Sequence, residues 1–183
     1  TLLDVGCGTG RLLELLAEKT GIACEGIELN TSRADLAAKR ACCPVYRVPI
    51  EQFSSPHTFD VITFVNVLSH IPWFDPLFRS VRSLLAEGGR FVMKTGELEP
   101  DVKKNDLYDW AIPSHVHFLG VETAEYIARK YGFRIVRHVR VPLADELFSV
   151  ERWNSPGPSA FRNMVKTNAA RIPLIISLAR KWY

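Results

Sequence analysis

Residues 4–10, Asp4-Val5-Gly6-Cys7-Gly8-Thr9-Gly10, constrain this chain more than any other segment. They follow a short apolar run, Leu2 to Val5. They precede Thr9 to Lys19, where Leu12, Leu13, Leu15, Leu16 and Ala17 gather on one helical face. A glycine turn between a strand and a helix is therefore expected. Gly6 and Gly8 permit the tight turn and let a ligand approach the backbone, and Gly10 permits close contact between helix and strand. The helix amino terminus adds N–H groups and the positive end of a dipole. The expected ligand is nucleotide-like, bound at a bend whose amides stay open. A glycine turn without a ligand is the plainer alternative. A triphosphate site is disfavoured because the chain has no GxxxxGK[ST].

The next segments keep the rhythm. Ile22 to Leu29 reads as a strand, and Asn30, Thr31 or Ser32 can cap a helix running to about Ala41. Val45 to Val48 is a short strand bent by Pro49. Phe59 to Val65 (FDVITFV) is apolar enough to be a buried central strand. A helix is expected from near Trp73, carrying Leu77, Phe78, Val81, Leu84 and Leu85. Gly88-Gly89 should end it before a strand at Arg90 to Lys94. This alternation implies βαβ units and a parallel sheet.

Residues 97–120 break the pattern and read as an insertion on the substrate side, or else as a solvated loop with anchoring aromatics such as Tyr108 and Trp110. Val121 to Lys130 resumes as a helix, and Phe133 to Val141 as a strand whose Arg134, Arg137 and Arg140 form a solvated edge or basic rim. Ser155 to Ser159 is a turn, Ala160 to Arg171 is helical, and Pro173 interrupts before a last strand, Leu174 to Leu178. The rival for the tail is an amphipathic helix touching a membrane, which Pro173 weakens. The chain opens directly in a strand pattern, so residues that precede it are expected to be missing from this sequence.

Composition sets limits. Basic residues exceed acidic by 23 to 20, which is too small a surplus to argue for nucleic acid, so none is expected as partner. The chain has no apolar 20-mer, so no transmembrane segment is expected. Cys7, Cys24, Cys42 and Cys43 contain no CxxC, so reduced thiols in a cytoplasmic protein are the simpler reading. His115-Val116-His117 is one pair without a third ligand, so no metal is expected. Glu28, ending the second strand, can accept hydrogen bonds from ribose hydroxyls, although a solvated strand-end acid is the bland alternative.

The stretch LLDVGCGTGRLLELLAE resembles the first motif of the class I S-adenosylmethionine-dependent methyltransferases, and GIELNTSRADLAAKR their second strand and helix. VPIEQF, FDVITFVNVLSHIP and LLAEGGRFVMKTG follow in the right order, and PSHVHFLGVETAEYIARKYGFRIV is similar to the region after the fifth strand in small-molecule members. The resemblance covers roughly residues 1–142. It implies a Rossmann-like, doubly wound α/β fold in one domain over residues 1–183, with a mostly parallel seven-stranded sheet and a reversed last strand, and with the N-terminal helices that usually precede the first strand missing from this sequence. It implies S-adenosyl-L-methionine as cofactor, with S-adenosyl-L-homocysteine as product.

By the same resemblance, Asp4, Gly6, Cys7, Gly8 and Gly10 belong to the loop around the methionine and ribose portions. Glu28 is the ribose acid, Leu29 covers adenine, Ile50 and Glu51 meet the adenine, and Asn66 and Val67 border the methionine end. Val48-Pro49 stands where Gly-Asp is frequent in the family, and Ser69 where an acid or histidine is frequent.

Methyl transfer to a small-molecule acceptor, with oxygen favoured, needs alignment and a base for the acceptor's proton. His117, His115 and His70 are the candidates for that role, while His57 and His138 read as surface residues. Two alternatives stand beside this reading. An NAD-dependent oxidoreductase would need GxGxxG, and Arg11 occupies its last glycine position. A noncatalytic cofactor-binding protein would keep the fold alone. The protein is expected as a monomer or homodimer.

Overall fold

Leu2–Val5 forms β1, and all four residues are buried because strands flank both edges and helices cover both faces. The computed structural model describes residues 1–96, 115–140 and 173–180, the backbone alone for 140 and 173–180. β1 pairs in parallel with β2 (Cys24–Ile27) on one side and with β4 (Phe59–Val65) on the other. β3 (Val45–Tyr46) extends β2, and β5 (Leu85–Gly96) extends β4. These five strands run parallel in the order β3-β2-β1-β4-β5, and this is the Rossmann-like α/β arrangement read from the sequence. Beyond β5 the order continues β7-β6, with β7 (Pro173–Arg180) antiparallel to both β5 and β6 (Phe133–Arg140).

The helices divide between the two faces. α1 (Arg11–Thr20) and α2 (Thr31–Ala41) cover Leu2, Cys7, Leu13, Cys24, Ala37 and Ala41. A Cβ at Gly10 would lie 2.7 Å from Ala37 Cα, so only glycine lets α1 begin this close to α2. Asn30 caps α2, its Oδ1 accepting from Arg33 N at 3.0 Å. α3 (Phe74–Leu84) and α4 (Val121–Tyr131) cover the larger core, built on Ile62, Phe64, Phe91 and Met93. α3 buries Leu77, Phe78, Val81 and Leu84 at helical spacing.

Several sequence boundaries are corrected. β2 spans Cys24–Ile27 rather than Ile22 to Leu29, and β3 has two residues and stops before Val48. Gly88-Gly89 do not end α3. That helix stops at Leu84, and β5 starts at once. Phe59 pairs with Leu85 and Val61 with Arg90, so residues 86–89 bulge out of the ladder. Gly88 has φ of 72°, the conformation such a kink needs. Pro173 does not interrupt the tail but opens β7, at a strand's first residue where its missing N–H is tolerated. The backbone of 173–180 is extended and paired on both sides, which excludes the rival amphipathic helix there. β6 closes one edge of the sheet, with Arg134 and Arg137 exposed along it. The helix expected at 160–171, the turn at 155–159 and residues 97–114 of the expected insertion lie outside the described residues.

Candidate functional site

The sheet order reverses between β1 and β4, and ligands of such sheets sit beyond the strand C-termini at that point. A cavity of about 450 Å³ opens there. Its walls include Gly6 and Gly8 from the loop after β1, Glu28 and Leu29 after β2, Ile50 and Glu51 after β3, and Asn66 and Val67 after β4. These eight of the expected cofactor residues come together. Asp4, Cys7 and Gly10 do not border the cavity.

The loop's geometry differs from an open ring of amides. Gly6 N and Cys7 N both donate to Ile27 O, at 2.7 and 3.0 Å, and Gly10 N donates to Cys7 O at 2.9 Å. Gly8 N donates to Glu28 Oε2 and Asn30 N to Glu28 Oε1, both at 2.9 Å. The carboxylate is thus fixed by one amide from each side while each oxygen keeps acceptor capacity. Glu28 is only 9% exposed, so the bland reading of a solvated strand-end acid is corrected. At Gly8, with φ of 57°, a Cβ would meet nothing within 4 Å. What a ligand meets at this loop is the bare Cα of Gly8 and the Glu28 carboxylate. At Gly6 the Val67 side chain fills the space of a Cβ, which packs the loop against the turn after β4.

The three residues away from the cavity have other work. Asp4, 3% exposed, accepts from Thr63 Oγ1 at 2.6 Å beneath the loop. Burial pushes its carboxyl up to about 6, partly offset by the Thr63 hydrogen bond. Cys7 packs with Leu2, Leu13 and Cys24, and burial, with the Asp4 and Glu28 carboxylates, pushes its thiol up to about 12. It is therefore a core side chain. Gly10 serves the contact between α1 and α2.

Beyond β4 the chain enters the 3-10 turn Leu68–His70, and His70, Ile71 and Pro72 line the cavity. Asn66 reaches it through a left-handed backbone, φ 57°, and donates its N–H to Lys94 O at 2.9 Å. His70 lines the cavity, and its ring centroid lies 4.6 Å from that of His115. His115 Nδ1 is buried with no hydrogen-bond partner. Val116 N and His117 N donate to Ser69 O at 2.8 and 3.3 Å, which docks the segment 115–119 on this turn. His117 does not line the cavity. Its Nε2 lies 3.1 Å from Pro72 O, and its ring 4.3 Å from that of Phe74. His57 pairs with Glu25, Nε2 to Oε1 at 3.0 Å, and His138 is exposed on β6.

Sequence reasoning missed Val5, Ile27, Arg33, Pro49, Val65, Ile71 and Pro72 as cavity residues. Val5, Ile27 and Val65 are the last residues of β1, β2 and β4, and that position was the available signal for them. Arg33, in the first turn of α2, had none. Among the described residues, no cluster of His, Cys, Asp or Glu is placed to hold a metal ion, and no helix is long and apolar enough to cross a membrane.

The residues present suit an adenosine-bearing ligand. Glu28 offers a fixed acceptor for hydroxyls, Gly8 an unfilled approach, and Leu29, 61% exposed, together with Ile50 an apolar flank for a flat ring.

Comparison with known proteins points the same way. The family described as a methyltransferase domain matches residues 1–138. A ubiquinone biosynthesis O-methyltransferase of Psychrobacter arcticus is 32% identical over 108 residues, 54% of this chain and 42% of that protein. The chain spans about half the length of the curated relatives it matches. Phosphoethanolamine N-methyltransferase 2 of Haemonchus contortus, solved with phosphomonomethylethanolamine and S-adenosylhomocysteine, superposes with a TM-score of 0.78 at 15% identity, covering 99% of this chain and 48% of that one. Geranyl diphosphate C-methyltransferase of Streptomyces coelicolor gives 0.76 at 16% identity, covering 98% and 71%. At such identities these two structures speak for the fold.

Proposed function

The chain belongs to the methyltransferase-domain family, and from that premise we propose that it transfers a methyl group from S-adenosyl-L-methionine to a small-molecule acceptor, with oxygen the favoured acceptor atom. The observation that carries this is the Glu28 carboxylate, held between Gly8 N and Asn30 N at the floor of the cavity beside an unfilled Gly8. The preference for oxygen rests on relatives such as the Psychrobacter O-methyltransferase.

When bound, the cofactor supplies an electrophilic sulfonium methyl. The chain's own residues bind and align. Glu28 would accept from the ribose hydroxyls, Leu29, Ile50 and Glu51 would flank the adenine, and Gly6, Gly8, Asn66 and Val67 would hold the methionine end. His70 takes the acceptor's proton, because it alone of the three candidate histidines lines the cavity. His115 backs the His70 ring, and His117 positions the segment by its bond to Pro72 O. Asp4, beneath the loop, supports it from behind.

We also read residues 1–183 as one domain with its substrate-side insertion at about 97–120, and the seven-stranded sheet with a reversed last strand as its native arrangement. The antiparallel pairing of β7 with β5 supports this. Four free cysteines support a cytoplasmic setting. Calorimetric titration tests the central claim. S-adenosylhomocysteine should give saturable heat and NAD or NADP none, whereas heat from a dinucleotide alone overturns the proposal.

A further inference from the structure

We propose that a second site, in the crevice where the C-terminal ends of α3 and α4 meet, binds a phosphate group through Arg79, Arg82 and Lys130. The crevice has a volume of about 500 Å³ and is lined by Arg79, Arg82, Ser83, Lys130, Tyr131 and Gly132. None of these residues borders the cavity described above. Three of the six are cations, two carry hydroxyls, and no carboxylate is among the described lining residues.

Asp75, itself half-exposed, links the group. Its Oδ2 accepts from Arg79 Nε at 2.6 Å, and its Oδ1 accepts from Tyr131 OH at 3.0 Å and pairs with Lys130 Nζ at 3.2 Å. Hydrogen bonds from Arg79, Tyr131 and Lys130 hold its carboxyl down to about 2, so it stays ionised at any ordinary pH. One carboxylate thus draws a cation from each helix to the same place. Arg82 joins them from the next turn of α3, where its Nη1 donates to Gly132 O at 3.0 Å. Among the described residues, three cations against one carboxylate leave two positive charges uncompensated. The partial negative charges of the two helix ends offset part of that surplus only.

The arrangement pins α3 to α4, but pinning does not require it. Asp75 with one cation would suffice, and gathering further like charges in one concavity opposes folding by their repulsion. A phosphate group removes that repulsion, and its oxygens suit the forked guanidinium donors of Arg79 and Arg82 and the ammonium of Lys130. The same chemistry fits a free phosphorylated compound or the phosphate of a lipid headgroup.

The test titrates the protein with inorganic pyrophosphate by calorimetry. Vesicles of phosphatidylglycerol are run beside phosphatidylcholine vesicles. Saturable pyrophosphate binding is expected, weakened about tenfold or more in the Arg79→Gln/Arg82→Gln double variant and weakened less in Arg82→Lys, which keeps the charge and loses the fork. Ser83→Asp, which puts a carboxylate on the exposed rim and breaks no contact between the helices, should abolish binding while the cooperative melt persists. That variant keeps the test decisive should the double variant not fold. Binding of phosphatidylglycerol vesicles without pyrophosphate binding, lost in Ser83→Asp, assigns the phosphate to a lipid headgroup. No saturable binding in either arm, or binding that both variants leave unchanged, overturns the site.

Discussion

At the scale of single residues, the glycine loop shows why one motif can carry several separate constraints. Gly8 and Gly10 both have positive φ, yet only Gly10 is crowded, by Ala37. Gly10→Ala is therefore expected to lower stability by about 2–5 kcal/mol, through overpacking added to left-handed strain. Gly8→Ala should cost only about 1–2 kcal/mol of left-handed strain and act mainly on ligand affinity. Melts and S-adenosylhomocysteine titrations of both variants check this, and equal effects on affinity would refute the division. Asp4 makes a pH prediction. Burial raises its folded pKa to about 6, above the ordinary carboxylate value, so the folded state binds the proton more tightly than the unfolded one. The penalty is full above about pH 6 and vanishes below the unfolded value, so stability rises as pH falls through that window. The difference amounts to roughly 3 kcal/mol. Asp4→Asn, which can still accept from Thr63, should raise the melting temperature at pH 8, and the gain should shrink toward pH 5. A gain independent of pH would show that Asp4 is not the titrating group.

At the scale of elements, the segment 115–119 matters because it docks without a ladder of its own. Two of its amides share Ser69 O, Leu119 N reaches Gly96 O, and His117 holds Pro72 O. It sets His115 against His70, so losing its anchor displaces the proposed base. His117→Ala should lower kcat about tenfold, as misplacement at a reacting centre does, while the Kd of S-adenosylhomocysteine stays within about twofold. Steady-state kinetics beside calorimetry decides this, and a matched loss of affinity would move His117 into the cofactor site. The elements themselves were legible where periodicity and caps agreed. Asn30 starts α2, Gly132 closes α4, and the apolar run of Phe59 to Val65 is the central strand β4. The sequence misled at Gly88-Gly89, because a glycine pair marks a bulge inside a strand as readily as a helix stop. Within the site, Glu28 and the glycines were readable because their chemistry is unusual at those positions. Arg33 and Ile71 were not, because only the tertiary fold carries a helix's first turn and a loop tip to the same cavity.

At the scale of the whole molecule, the sheet joins two faces with unlike duties. One face packs small residues of α2 closely against α1 behind the loop, and the other buries the aromatic core under α3 and α4. β1 and β4 contribute side chains to both, while β3, two residues long, hangs at one edge. Local opening should follow that layout, with amide exchange slowest at Ile62, Phe64, Phe91 and Met93 and fast at Val45 and Tyr46. Cofactor binding then acts on the weakest part of the site rather than on the core. S-adenosylhomocysteine at a hundred times its Kd should stabilise the fold by about 2.7 kcal/mol, a rise in melting temperature of about 5–10 °C for a chain of this size. Exchange should slow at Gly6, Gly8, Glu28 and Asn30, where the loop and the carboxylate are already joined. It should stay unchanged at Arg82 and Gly132, which pyrophosphate should protect instead. Protection of both regions by either ligand alone would mean that the two sites are coupled through α3, and protection of the crevice alone by S-adenosylhomocysteine would place the cofactor where no adenosine-binding acid lines the wall.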